Sequence, residues 1–133
     1  MTPTARPAPR RNETRDLVVP IMAMLNELPG VRVWRPHVLA TRERALSGAG
    51  LANGSADLVG LVCVPLVQDD AVPHWTSVGR FFALEVKWPG KRPSLDQTRW
   101  GKTVQDLGGF WCVVRSEDDA RAAVERCRMG LYE

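Results

Sequence analysis

Four residues of this 133-residue chain have the types and spacing that chemistry requires: Asp57, Glu85, Lys87 and Gln97. Glu85 and Lys87 stand two apart in Arg80-Phe-Phe-Ala-Leu-Glu-Val-Lys87, a run that reads as a strand, and alternation along a strand puts both side chains on one face. Asp57 opens an earlier apolar run, Asp-Leu-Val-Gly-Leu-Val-Cys-Val64, that also reads as a strand. Pairing of the two strands would bring Asp57 near Glu85, so that two carboxylates and an ammonium converge. Hard divalent cations such as Mg2+ take oxygen ligands of this kind, commonly one or two carboxylates with water and substrate phosphate completing an octahedron. The chemistry this set suits is phosphodiester hydrolysis.

The elements that must position these residues are legible in order. Residues 1–11 mix three prolines with basic residues and show no apolar periodicity, which predicts a disordered basic arm that either touches nucleic acid or is simply solvated. Residues 12–133 are expected to form a single domain. Leu17, Ile21, Leu25 and Leu28 recur at helical spacing, with Asn12 placed to cap the helix and Gly30 to stop it. Pro20 predicts either a kink or a shorter helix that starts there, because a proline inside a helix loses a hydrogen bond and clashes with the preceding turn.

Val31 to Arg35 reads as a short strand with its arginines on one side and Trp34 packed inside. Pro36 to Ser55 is expected to be a loop over the active face or a partly helical segment around Arg42 to Leu46. Pro65 to Ser77 reads as a hairpin connection without chemistry. Trp88 to Pro93 is a turn, and Ser94 opens a helix whose Ser-x-x-Gln97 spacing matches a capping box and which ends at Gly108-Gly109. Phe110 to Arg115 reads as a buried strand that also carries Trp111 inside, and Ser116 begins a last helix with acidic residues in its first turn. The order is α, β, β, β, α, β, α.

Composition narrows the partners. The net charge is only +3, but 15 of the 18 cations are arginine, whose planar fork suits bidentate phosphate contacts. They cluster at Arg6 to Arg15, at Arg32, Arg35, Arg42 and Arg44, and, with lysines, at Lys87, Lys91, Arg92, Arg99 and Lys102, which makes an anionic polymer a plausible partner. Arg35, Lys91, Arg92 and Arg99 are the leading candidates for phosphate contacts, with Arg42, Arg44 and Lys102 beside them. Cys63, Cys112 and Cys127 are scattered and odd in number, which argues against a disulfide framework or a zinc site and for buried thiols in a reducing cytoplasm. No apolar run is long enough for a membrane span.

Gly54-x-x-Asp57-Leu-Val-Gly60, Gly79-Arg-x-x-x-x-Glu85-Val-Lys87, Gln97, and Gly108-Gly109 before Val113-Val-Arg-Ser116 together resemble the VRR-Nuc group of the PD-(D/E)XK nucleases. An isolated Glu-x-Lys carries no information; the ordered combination does, because the element order agrees with that family's core without reference to the motif. The resemblance implies an α/β fold with a restriction-endonuclease-like αβββαβ core, a central mixed sheet flanked by helices. It implies that Asp57 and Glu85 ligate Mg2+, with Mn2+ as a substitute, and that Lys87 assists the attacking water or the transition-state charge. Gln97 would support Lys87 or the water, and Glu13 would add a further carboxylate. The Val86 backbone carbonyl offers another oxygen ligand. Hydrolysis of branched DNA such as Holliday junctions or flaps, a role in DNA repair and a homodimer are implied in the same way. Ala56 stands where the wider superfamily has its proline, and Pro20 bears on how Glu13 is placed.

Each residue also has a purely structural explanation. Asp57 can cap a strand, Glu85 and Lys87 can form a surface ion pair contributing roughly 0.2–1 kcal/mol, and Gln97 can serve its capping box alone. Trp88 and Trp100 flank the expected site as core residues or as surfaces for an unpaired base. A different class of function is a catalytically silent DNA-binding or accessory module that keeps the nuclease fold.

Overall fold

The structure is a computed structural model that describes residues 5, 8, 10–36, 54–66 and 77–132. Of the basic arm, Ala5, Ala8, Arg10 and Arg11 fall within it, all exposed. The segment from Pro36 to Ser55 is described only at its ends, so Arg42 and Arg44 lie outside the described residues, as does Arg6.

The first helix begins as expected at Asn12, whose Oδ1 accepts from the Arg15 N–H at 2.9 Å while its own N–H donates to Asp16 Oδ2 at 2.8 Å. Pro20 shapes the turns around it. The chain runs through a π-helical turn over Thr14–Val18 and then α1 over Val19–Glu27, with the proline in the first turn of α1. The Val19 N–H reaches back to the Thr14 carbonyl, so the widened turn falls just ahead of the ring that would clash with a tight one. Gly30, at φ +71°, closes the turn into β1 (Val31–Trp34).

β2 (Leu58–Pro65) and β3 (Ser77–Val86) pair antiparallel in register from Leu58 opposite Leu84 to Pro65 opposite Ser77, and β1 pairs antiparallel on the other side of β2. β3 thus starts three residues earlier than its apolar run indicates. After α2 (Leu95–Asp106), β4 (Phe110–Val114) joins β3 in parallel, with Glu85 opposite Val113 and Val86 opposite Val114. α3 (Glu117–Met129) closes the order α, β, β, β, α, β, α on a mixed sheet β1-β2-β3-β4, with β3 in the interior. The Ser94 capping box and the Ser116 cap form as expected, and Gly130 ends α3 in the left-handed conformation.

Alternation divides β3 between two layers. Phe82, Leu84 and Val86 enter the main core with Leu17, Ile21 and Leu25 of the first helical layer and Ala123 and Val124 of α3. Burial of each such large side chain contributes about 1.5–3 kcal/mol. Arg80 fastens β3 to α3 by donating to the carbonyls of Cys127 and Arg128 in its last turn. Ala83, on the opposite face, joins Ala56 and Val59 in a smaller cluster against Trp100 of α2 and half-buried Trp111 of β4. Gly101 makes this layer possible, because a Cβ there would fall 2.2 Å from the Trp111 ring.

Two sequence readings need correction at β1. Trp34 does not pack inside: it is 45% exposed, because β1 is an edge strand whose buried side, Val31 and Val33, faces α1 and the main core. The two arginines do not share a strand face, since Arg32 lies on the side of Trp34 and the strand ends before Arg35. Of the three cysteines, all free, only Cys127 is fully buried; Cys63 and Cys112 are half-buried. Among the described residues no helix is long and apolar enough to cross a membrane.

Candidate active site

Glu85 is the only buried charged residue among those described, fully enclosed near the end of the interior strand. A carboxylate in that position is costly unless its surroundings give it partners. Gln97 provides one: its Nε2 donates to Glu85 Oε1 at 2.8 Å. Lys87, two residues on and on the same face, sets its Nζ 3.7 Å from that oxygen. Glu85 Oε2 is buried and receives no hydrogen bond, and the Asp57 carboxylate beside it serves as an acceptor only when Glu85 is protonated.

Asp57 comes from the residue before β2. Its Oδ2 accepts from the Val86 N–H at 2.8 Å, which closes the gap left where the β2–β3 ladder ends at Leu58 and Leu84. In the parallel pairing, the Lys87 N–H donates to the Val114 carbonyl, so the polar groups of Val86 leave the strand on the opposite edge, toward Asp57. The Val86 carbonyl therefore opens toward the same side as the two carboxylates. Gly54 joins this corner to α2: at φ +85°, it lies so close to the helix start that a Cβ would fall 2.5 Å from the Asp96 carbonyl.

Electrostatics reflect this crowding. Burial pushes the Glu85 carboxyl up to about 9, hydrogen bonding and charge from Asp57 push the same way, Lys87 opposes them, and Glu13 adds a smaller upward push. Glu13 stands at the margin. It comes from the start of the first helix, on the other side of the sheet, and its Oε2 accepts from the Trp88 N–H at 3.3 Å just past Lys87. The structure thus brings Asp57, Glu85, Lys87 and Gln97 together and sets Glu13 beside them. Trp88 and Trp100 are half-buried, Trp88 against the main core and Trp100 over the smaller cluster, and the Arg11 guanidinium lies 5.3 Å over the Trp88 ring.

Arg115 has a part that its spacing does not reveal. Its guanidinium donates to the carbonyls of Trp88 at 2.8 Å and Lys91 at 2.6 Å, fixing the turn after Lys87. The signal is the parallel register, which places the residue after Val114 next to the residue after Val86. The expected phosphate ligands Arg35, Lys91, Arg92, Arg99 and Lys102 are all exposed, and Lys102 pairs with Asp106 at 3.1 Å.

The donors suit a hard cation through two carboxylates and a carbonyl. Among the described residues no three His, Cys, Asp or Glu side chains gather as a metal-ligating group. Two carboxylates suffice for Mg2+, which keeps several waters, and Glu85 Oε2, which no donor reaches, is the atom that a cation would satisfy in place of the proton between Glu85 and Asp57. No protein-family model, curated protein or solved structure matches the chain.

Proposed function

We propose that this chain is a metal-dependent DNA endonuclease of the VRR-Nuc type, with a restriction-endonuclease-like core and a preference for branched DNA, acting in the cytoplasm. The observation that carries the reading is the buried Glu85 of the interior strand, held by Gln97 and Lys87, facing Asp57, with one oxygen that no donor reaches. A surface ion pair does not account for it, because a fully buried carboxylate raised to about 9 is an expensive feature to keep without a ligand or a reaction.

Asp57, Glu85 and the Val86 carbonyl would hold Mg2+ or Mn2+. When bound, the cation supplies positive charge beside the scissile phosphate and makes water more acidic. Gln97 fixes the Glu85 oxygen on the Lys87 side, which leaves the other oxygen for a cation to take. Lys87 orients the attacking water and balances the negative charge that builds on the phosphoryl oxygens. The water gives up a proton to solvent as its oxygen bonds to phosphorus, the bridging P–O bond breaks, and the leaving oxygen takes a proton from solvent. Glu13 and Arg115 hold the chain on either side of Trp88 and so fix the position of Lys87.

The experiment is magnesium-dependent cleavage of a labelled four-way junction, a flap and a duplex of matched sequence. Faster cleavage of the branched substrates is expected, and equal rates on all three remove the structural preference. Binding without cleavage in either Mg2+ or Mn2+ means a silent accessory module instead.

A further inference from the structure

The face of the sheet that carries Glu85 is only partly covered by α2. Toward β1 no described element covers it, and register sets Arg32, Leu61 and Phe81 in one cross-strand row and Trp34, Val59 and Ala83 in the next. Trp34, Leu61 and Phe81 are 45, 43 and 40% exposed, and Arg32 is exposed beside them. The same face continues into an open concavity of about 440 Å³ lined by Arg32, Leu61, Cys63 and Gly79, among others. On these strand faces the described carboxylates are those of the candidate site, so the open part is apolar, aromatic and basic.

We propose that this open strand face, centred on Trp34 and Phe81 with Arg32 at its rim, is a stacking platform for unpaired bases of a nucleic-acid strand that continues into the candidate active site. The inference rests on the nuclease reading and specifies its substrate as DNA with single-stranded character next to the scissile bond. Single-stranded nucleic acid is held by aromatic faces for its bases and cations for its backbone, whatever its sequence. Both are present here, and among the described strand residues of this face no carboxylate outside the candidate site opposes them. Two strand spacings and one pleat repeat separate Trp34 from Glu85, about 12 Å, a few nucleotides of path. Pairing of another strand along β1 is disfavoured, because Asn26 already bonds the outward N–H and carbonyl of Val33 at 2.8 and 3.0 Å. The face, not the edge, is what β1 offers.

The test is fluorescence anisotropy with labelled oligothymidylate and a blunt duplex in chelator, on wild type, Trp34→Ala and Trp34→Phe, with sedimentation of each protein. Trp34→Ala is expected to bind the single strand about tenfold more weakly, the loss of roughly one base stack, with duplex affinity within about twofold and Trp34→Phe close to wild type. Phe81→Ala carries the same expectation, so the claim is decided even where one variant fails to fold. Wild type that does not bind the single strand overturns the proposal, as do variants that bind it unchanged. Variants that turn a dimer into monomers with DNA binding unchanged also overturn it and make the face a self-interface. Single-strand binding that depends on Trp34, in a protein that cleaves nothing in Mg2+ or Mn2+, leaves the platform standing and removes the nuclease.

Discussion

Gln97 bonds Glu85 with its amide nitrogen while its amide oxygen accepts from the Ser94 N–H at 2.7 Å, so one side chain closes the helix cap and holds the buried carboxylate. The capping and catalytic explanations of this residue therefore describe two ends of the same group. Gly54 presses on the backbone at the same helix start, and the corner bearing Asp57 is thereby tied to the helix bearing Gln97.

Gln97→Glu separates the two roles. A glutamate at this position still caps Ser94 but turns an acceptor toward Glu85 in place of a donor. The helix should keep its stability to within about 1 kcal/mol while cleavage falls at least tenfold, as read by urea unfolding and by rate on a junction substrate. Unchanged cleavage would mean that the bond to Glu85 has no functional role.

Gly54→Ala should destabilise the protein by about 1–3 kcal/mol, because the site combines positive φ with a close approach to the Asp96 carbonyl. Urea unfolding measures it. Stability equal to wild type would show that this contact gives way freely.

Much of this corner is legible in the residues alone. Strand alternation puts Glu85 and Lys87 together, and the antiparallel partner delivers Asp57 to them, because period-two patterns survive any detail of packing. The Ser94 to Gln97 spacing locates a helix start for a related reason: a cap is a local bond. Trp34 is misplaced by sequence reasoning because a four-residue strand shows which side chains share a face but not which face finds a partner; that is decided by α1 and the turn before it, through Leu17, Ile21 and Leu25. The role of Arg115 needs the β3–β4 register, a contact between distant segments that local spacing does not encode.

The acid–base behaviour of Glu85 gives a further check. Its folded value of about 9 lies above its ordinary value of 4.5, so the protonated form favours the fold. That contribution is fully present below about pH 4.5 and is lost as pH rises through about 9. Without metal, wild type should lose thermal stability relative to Glu85→Gln across this range, and Mg2+, which must displace the proton, should bind more tightly as pH rises. Parallel melting profiles for the two proteins, with Mg2+ affinity independent of pH, would contradict this.

DNA affinity in chelator should fall steeply with salt. About five phosphate contacts from residues such as Arg35, Lys91, Arg92 and Arg99 give a log–log slope near −4.5. A slope near zero would mean that the basic residues meet no backbone.

The most direct measurement is the single-turnover rate of junction cleavage in Mg2+ by wild type and Lys87→Ala, with folding of both checked by circular dichroism. Lys87 is partly exposed, with 18% of its side chain reaching solvent, so its truncation should leave the fold intact. The predicted result is metal-dependent cleavage by wild type and a loss of about 10²-fold or more in the variant, the scale of removing one group that stabilises a transition state. Full activity in folded Lys87→Ala, or no cleavage by wild type in Mg2+ or Mn2+, would contradict the assignment of this site to phosphodiester hydrolysis.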